Sequence, residues 1–209
     1  MALPQYARNA KPIEVRKARP DDSPAISRTL ARAFYADPVF QWAIPNDLRR
    51  RNVLPGLFLT FTEALEHHRA SYVAGNWAGA ALWVPPEQAP VAPEDEDAFD
   101  AQLGDLLDDD ELERVGSLSA IMAAEHPHAP HMYLWFLGVH PAWQGSGIGS
   151  TLLERVLAQL DAQGTAAYLE ATSADNVRLY ERHGFQVTAA IIGHGGPPLW
   201  KMWREANTR

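Results

Sequence analysis

The stretch Leu137-Gly138-Val139-His140-Pro141-Ala142-Trp143-Gln144-Gly145-Ser146-Gly147-Ile148-Gly149 decides the reading of this 209-residue chain. It begins in a dense apolar run, His131 to His140, of the kind found in a strand covered on both faces, as in a sheet with parallel pairing. A glycine-rich turn follows, and then Ile148, Leu152, Leu153, Val156, Leu157 and Leu160 recur with helical period. Asp161-Ala162-Gln163-Gly164 ends that helix, with Gly164 suited to a left-handed cap. Such a turn is an anion-binding device. Its N–H groups lack partners, they point outward, and the helix dipole adds partial positive charge.

Outward from this centre, Thr165 to Ala171 reads as a strand and Asp175 to His183 as a short helix, followed by strands near 185–192 and 199–203. Towards the N-terminus, Ile13 to Arg16 alternates as a strand. Ser23 is a plausible N-cap with Pro24 in the first turn, and Ile26, Leu30 and Phe34 give that helix one apolar face. The segment Asp37 to Asn46, with two prolines, Phe40 and Trp42, reads as an irregular aromatic loop; helix resumes from Asp47 to about Arg69. Ser71 to Ala74 and Trp77 to Val84 form a hairpin around Gly75-Asn76. Pro85 to Pro93 reads as a linker or extended segment.

The formal net charge of −8 argues against nucleic acid as a partner. Eleven of the 26 acids lie between Glu94 and Glu113, where there is no Lys or Arg, so the acidity is local. Phe99, Leu103, Leu106, Leu107 and Leu112 in that stretch suit a surface helix or helix pair with a solvated acidic face; a flap over a cationic substrate is the functional alternative. The absence of cysteine excludes disulfides, thiolate metal sites and a cysteine nucleophile. No apolar run is long enough to cross a membrane or serve as a signal peptide, so a cytoplasmic protein is expected.

Three ligands fit a glycine turn in this setting. A nucleoside-triphosphate loop needs Lys before Ser or Thr, whereas Ser150-Thr151 follow Gly149 directly. A dinucleotide site needs a different glycine spacing after the first strand of the fold. The third is the pyrophosphate loop of an acyl-coenzyme A transferase. Here the chain resembles the GNAT superfamily of N-acetyltransferases: Gln144, Gly147 and Gly149 meet its Gln/Arg-x-x-Gly-x-Gly/Ala core, and Leu179-Tyr180-Glu181-Arg182-His183-Gly184-Phe185 is similar to its L-Y-x-x-x-G-F signature. Phe58-Leu59-Thr60, Tyr168-Leu169-Glu170 and the run from Asn176 to Phe185 resemble puromycin N-acetyltransferase-like members, but the 125–131 stretch differs.

The resemblance implies a GNAT fold of the α/β (α+β) class: a mixed, mostly antiparallel sheet of six or seven strands, with a parallel central pair splayed at the cofactor site and helices on both faces. It would occupy residues 13–206 as one domain, after a flexible arm over 1–12 and with an acidic helical insertion at about 94–124. It implies acetyl-CoA as co-substrate, no metal, and a small amine as acceptor, in a monomer or homodimer without nucleic-acid or membrane partners. Acetylation of a protein or peptide amine, or a silent coenzyme A sensor, are the alternatives.

Carried over by position, Leu137, Gly138 and Val139 would pair with the pantetheine arm, and the N–H groups of Gln144, Gly145, Ser146, Gly147, Ile148, Gly149 and Ser150 would hold the pyrophosphate. Tyr180 would be the general acid, against packing alone as the other reading. Asn176 would contact the cofactor or instead cap its helix, as Asp175 also could. Glu170 would be the base, acting through water, or a structural strand-end carboxylate. Phe34, Tyr35 and Trp42, together with Phe40 and Trp83, would wall the acceptor pocket or, as stripes of aromatics more often do, pack in the core, and Glu125 and His131 are further proton acceptors. His126, His128 and His131 have three readings: a metal site, a pocket-lining loop or a surface loop.

Overall fold

The computed structural model describes residues 13–192 and 195–207, so the expected arm over 1–12 lies outside the described residues. Seven strands, β1 (Val15–Lys17), β2 (Tyr72–Ala74), β3 (Gly79–Val84), β4 (His131–Val139), β5 (Ala166–Ala171), β6 (Gln186–Ile192) and β7 (Pro198–Arg204), form one sheet in the order β1-β2-β3-β4-β5-β7-β6. Every neighbouring pair is antiparallel except β4 and β5. The parallel pair arises because β4 and β5 are joined by a crossover helix, α6 (Ile148–Gln163), which returns the chain to the same end of the sheet. α6 closes on Gly164 at φ 67°, the left-handed cap expected of it.

Helices cover both faces. α1 (Ser23–Ala33) and α3 (Asp47–Ala64) bury Ile26, Leu30, Leu57 and Phe58 against one face, beside Tyr133 and Tyr168 of the sheet. α6 and α7 (Ala174–Glu181) bury Leu152, Val156 and Tyr180 against the other, beside Leu134 and Leu169. Gly138 is where the first layer comes closest. A Cβ there would sit 2.7 Å from Leu30 Cδ2 and 2.9 Å from Ala33 Cβ, so this glycine admits α1 to the sheet. Gly138→Ala is expected to destabilise the fold by about 1–3 kcal/mol through overpacking, read as a lower denaturant midpoint with an unchanged slope.

Local chemistry corrects three expectations. Residues 37–46 are not an irregular loop: α2 (Pro38–Ala43) forms there, with Pro38 in its first turn and the Asp37 carboxylate accepting from Val39 N at 2.9 Å. Asp-Pro is a helix start, because proline at N1 lacks only an N–H that would have had no partner. Asp22, rather than Ser23, occupies the N-cap position of α1, but its side chain is engaged elsewhere, with Arg16 at 2.5 and 2.9 Å and with the Trp77 indole N–H at 2.8 Å. The β2–β3 turn spans 75–78, beyond the expected two residues: Ala78 N closes it on Ala74 O at 3.0 Å, and Trp77 within it is held by that indole bond and by the Thr29 hydroxyl on its carbonyl (2.7 Å).

The acidic stretch forms a helix pair, α4 (Glu96–Leu106) and α5 (Asp109–Ala124), between β3 and β4. Asp108 and Glu111 cap α5 reciprocally at 2.9 and 3.0 Å. Glu111, although buried, is held by a bidentate contact from Arg49 of α3 at 2.7 and 2.6 Å, which docks the pair on the body of the domain. No helix among the described residues is long and apolar enough to cross a membrane.

Candidate active site

The parallel pairing of β4 and β5 stops early. It covers His131↔Ala166 to Tyr133↔Tyr168, although β4 runs on to Val139 and β5 to Ala171. Beyond Tyr133 the two strands diverge, and the β5-facing edge of β4 is left without a neighbour over Leu137 to Val139. The β3–β4 register also slips at Trp135, since Leu82 faces Phe136 while Trp83 faces Leu134. A bulge of this kind bends a strand and increases its twist, which fits the divergence. An extended ligand arm can pair with such an edge as an added strand.

The glycine turn lies at the end of that edge. Gly145 (φ 75°) and Gly147 (φ 87°) adopt the left-handed conformation, and Gly147 is the N-cap of α6. The first internal bond of α6 is Thr151 N to Gly147 O, at 3.0 Å. Among the described residues, no backbone acceptor takes the N–H groups of Gly145, Gly147, Ile148, Gly149 or Ser150. Gln144 Nε2 donates to Val139 O at 3.1 Å and Ser146 Oγ to Trp143 O at 2.5 Å, which fastens the turn to the strand before it. Ser150 Oγ is 3.0 Å from His183 Nε2, joining the start of α6 to the end of α7. The exposed donors and the dipole of a 16-residue helix suit a pyrophosphate.

Tyr180 and Glu170 both line a cavity of about 700 Å³ that reaches this gap. The Tyr180 ring is buried against Phe185, 5.9 Å between centroids. Burial, with the nearby Asp37 carboxylate as a second cause, raises its hydroxyl above the ordinary phenol value, so it stays protonated at neutral pH. Glu170 is pushed up to about 7 by burial; the Tyr168 and Tyr133 phenols and the Lys201 charge only partly oppose this. Its Oε1 and the Tyr168 hydroxyl are both buried without a hydrogen-bond partner. Lys201 is engaged elsewhere, donating to the Glu125 carbonyl at 2.5 Å and its carboxylate at 3.2 Å. An acid that holds its proton and a carboxylate that exchanges one near pH 7 therefore share a single cavity.

Asn176 also lines the cavity but does not cap α7; Ser173 does, accepting from Asn176 N at 3.2 Å. Ser173 takes the role because it is the residue that leaves extended conformation just before the helix begins. The Asn176 side chain donates to Thr172 Oγ1 (3.2 Å), whose hydroxyl in turn donates to Asp37. Asp37 thereby links α2 to the end of β5. This link, absent from the sequence reading, sets Phe40 of α2 into the cavity wall.

Of the aromatic wall expected from sequence, Phe34 and Phe40 line the cavity, while Tyr35, Trp42 and Trp83 do not. Tyr35 lies under the Arg50 and Arg51 guanidinium groups, Trp42 packs near Gly196, and Trp83 is buried on the α6 side of the sheet. Glu125 and His131 are also absent from the lining, whereas His126 is part of it. His131 Nδ1 is 2.7 Å from the Ala129 carbonyl, which can only accept, so that nitrogen carries the proton. Its Nε2 is 3.1 Å from His126 Nε2, and for two neutral rings His126 is the donor. Burial, and then the proximity of His131, push His126 down to about 4, so it is neutral at physiological pH. Among the described residues no three His, Asp or Glu side chains are grouped to hold a metal ion.

The remaining wall comes from segments whose role in the site the sequence reading left open. Gln88 to Val91 of the proline-rich stretch, Phe99 and Leu103 of α4, and Val115, Leu118 and Met122 of α5 all face the cavity. The helical spacing of Phe99 and Leu103 was the available signal.

The family model described as Acetyltransferase (GNAT) family matches residues 63–185, from the end of α3 to the start of β6. The chain belongs to this family. Among curated GNAT relatives, a mycothiol acetyltransferase of Beutenbergia cavernae is 35% identical over 145 residues, covering 65% of this chain and 46% of the relative. A mycothiol acetyltransferase of Propionibacterium freudenreichii is 30% identical over 118 residues, 52% of this chain and 38% of that one. The chain thus spans half or less of the length of these relatives. A solved structure described as histone acetyltransferase HPA2 and related acetyltransferase, from Corynebacterium glutamicum, superposes with a TM-score of 0.65 at 28% identity, covering 92% of this chain and 95% of that one.

Proposed function

We propose that this GNAT chain transfers an acetyl group from acetyl-CoA to a primary amine of a small molecule, by direct attack within a ternary complex. The observation that carries this reading is the unpaired edge of β4, with the glycine turn at its end and Tyr180 and Glu170 in the cavity at the gap. Leu137 to Val139 and the free N–H groups of Gly145 and of Gly147 to Ser150 would hold the donor along strand and turn. The Gln144 and Ser146 N–H groups, expected to join them, are taken by the Pro141 and Trp143 carbonyls at 3.4 Å. Asn176, in the cavity lining, would contact the donor there.

Amide formation needs an unprotonated amine, yet an alkylammonium has a pKa of about 10. Glu170, poised near 7, takes that proton, directly or through a water. As the amine attacks, the thioester C–S bond breaks, Tyr180 gives its proton to the departing sulfur, and the second proton leaving the new amide nitrogen restores the Tyr180 phenol, directly or through water. No covalent enzyme intermediate is needed, and the chain has no cysteine to form one. The likeness to puromycin N-acetyltransferase-like members rests on short motifs and stops at the 125–131 stretch, so it does not identify the acceptor.

Thiol release from acetyl-CoA over a panel of amines tests the proposal. Release that depends on amine, with one amide formed per thiol, is expected. Tight binding of acetyl-CoA with no amine-dependent release across amines and peptides would leave a sensor role instead. Acetylation of peptides in preference to every small amine would move the acceptor to a protein.

A further inference from the structure

The chemistry above uses only the part of the cavity next to the gap. The rest extends along the α3 side of the sheet, bounded by Phe61 of α3, Phe99 and Leu103 of α4, Val115 and Leu118 of α5, and Phe136 of β4. Phe61, Trp135 and Phe136 form a continuous aromatic surface, with Phe136 stacked on Phe61 at 5.2 Å and Trp135 5.1 Å from Phe61. The charged side chains of the lining are Glu96 and Asp100 on α4 and Glu170 at the gap; it contains no Lys or Arg among the described residues.

We infer that the acceptor carries its primary amine on an apolar body, aromatic or branched aliphatic, which is buried against α3, α4 and α5 with the amine directed to the gap. This rests on the transferase reading of the same site and names its substrate class. A sugar or polyol would set hydroxyl groups against the rings of Phe61, Phe99 and Phe136, which cannot satisfy them, since the polar groups of this part of the lining are limited to Gln88, Glu96, Asp100 and Ser119. A hydrocarbon body loses no such bonds, and each methylene it buries is worth roughly fourfold in affinity. The carboxylates of α4, without a cation among the lining residues, favour entry of an ammonium group over an anion.

The division of the core between the two sheet faces assigns this space to the acceptor and not to a long acyl chain. Tyr180 and Ile148 at the end of the glycine turn belong to the core under α6, whereas Phe61, Phe99 and Phe136 pack with the core under α3. The cavity meets both clusters at the gap, but its large apolar volume lies on the α3 side, away from the glycine turn that would hold the donor's pyrophosphate, and so on the acceptor's side.

The test is kcat/KM with acetyl-CoA for phenethylamine and isopentylamine against ethylamine, glucosamine and spermidine, with phenethylamine binding measured separately by calorimetry. The apolar amines are expected to exceed ethylamine and glucosamine at least tenfold. Val115→Phe and Leu118→Phe, each at a half-buried position in the cavity lining, are expected to raise the phenethylamine KM at least tenfold more than the ethylamine KM. Glucosamine or spermidine turned over as well as phenethylamine overturns the inference. So does a long-chain acyl-CoA used with ethylamine in preference to acetyl-CoA with phenethylamine. Phenethylamine that binds without thiol release from any amine keeps the apolar site and defeats the transferase reading; neither binding nor turnover defeats both.

Discussion

Glu170→Gln is expected to cut turnover by roughly two orders of magnitude or more, the usual contribution of a positioned base, while making the folded protein more stable at alkaline pH. The two effects share one cause. Folded, the carboxyl holds its proton up to about 7, whereas its ordinary value is 4.5. Between those two values the native state binds more protons than the unfolded state, so stability falls as pH rises through this window and stays lower above it. The penalty is on the order of 3 kcal/mol above pH 7, and glutamine does not incur it. Denaturant midpoints should therefore show the variant ahead of the parent at pH 8, with the advantage much reduced at pH 5. The parent's kcat/KM should fall on acidification below about pH 7, and this limb should be missing from the variant's residual activity. Turnover within threefold of the parent, or an unchanged acid limb, would remove Glu170 from the base role.

Tyr180→Phe is the companion test. Its ring packing on Phe185 is kept and only the hydroxyl is lost, so the denaturant midpoint should barely move. Loss of proton delivery to the leaving thiolate is expected to lower kcat about a hundredfold, with the KM for acetyl-CoA little changed. Because burial holds the phenol protonated beyond its ordinary range, the parent's rate should show no loss from Tyr180 ionisation between pH 7 and 9. Activity within twofold of the parent would leave Tyr180 as packing alone.

How legible the molecule was depended on whether the signal was local. The strand–turn–helix unit from His131 to Gly164 reads correctly because its signals lie within a few residues of one another: continuous apolarity, glycines that take positive φ, and a 3.6-residue period. The same local reasoning misplaced α2, because the two prolines were weighed as breakers although the one after Asp37 starts a helix. At α7 it offers Asn176 or Asp175 as a cap, beside cofactor contact for Asn176, where the extended residue before the helix is Ser173.

The candidate site divides in the same way. Tyr180, Glu170 and the glycine turn are marked by motif and element position, which depend on neighbours along the chain. That Glu170 is buried with an oxygen lacking a partner, and that Phe99 and Val115 share a wall with Phe136, depend on elements brought together from across the sequence. Residue pattern was enough for the family and for a turn with free backbone donors at a helix start, because backbone donors and helix dipoles are local properties. Only the tertiary structure decided the residue at which β4 parts from β5, the face on which the acidic helices close, and the proton affinity of Glu170. Burial and dielectric belong to a packed surrounding, and no spacing along a chain encodes them.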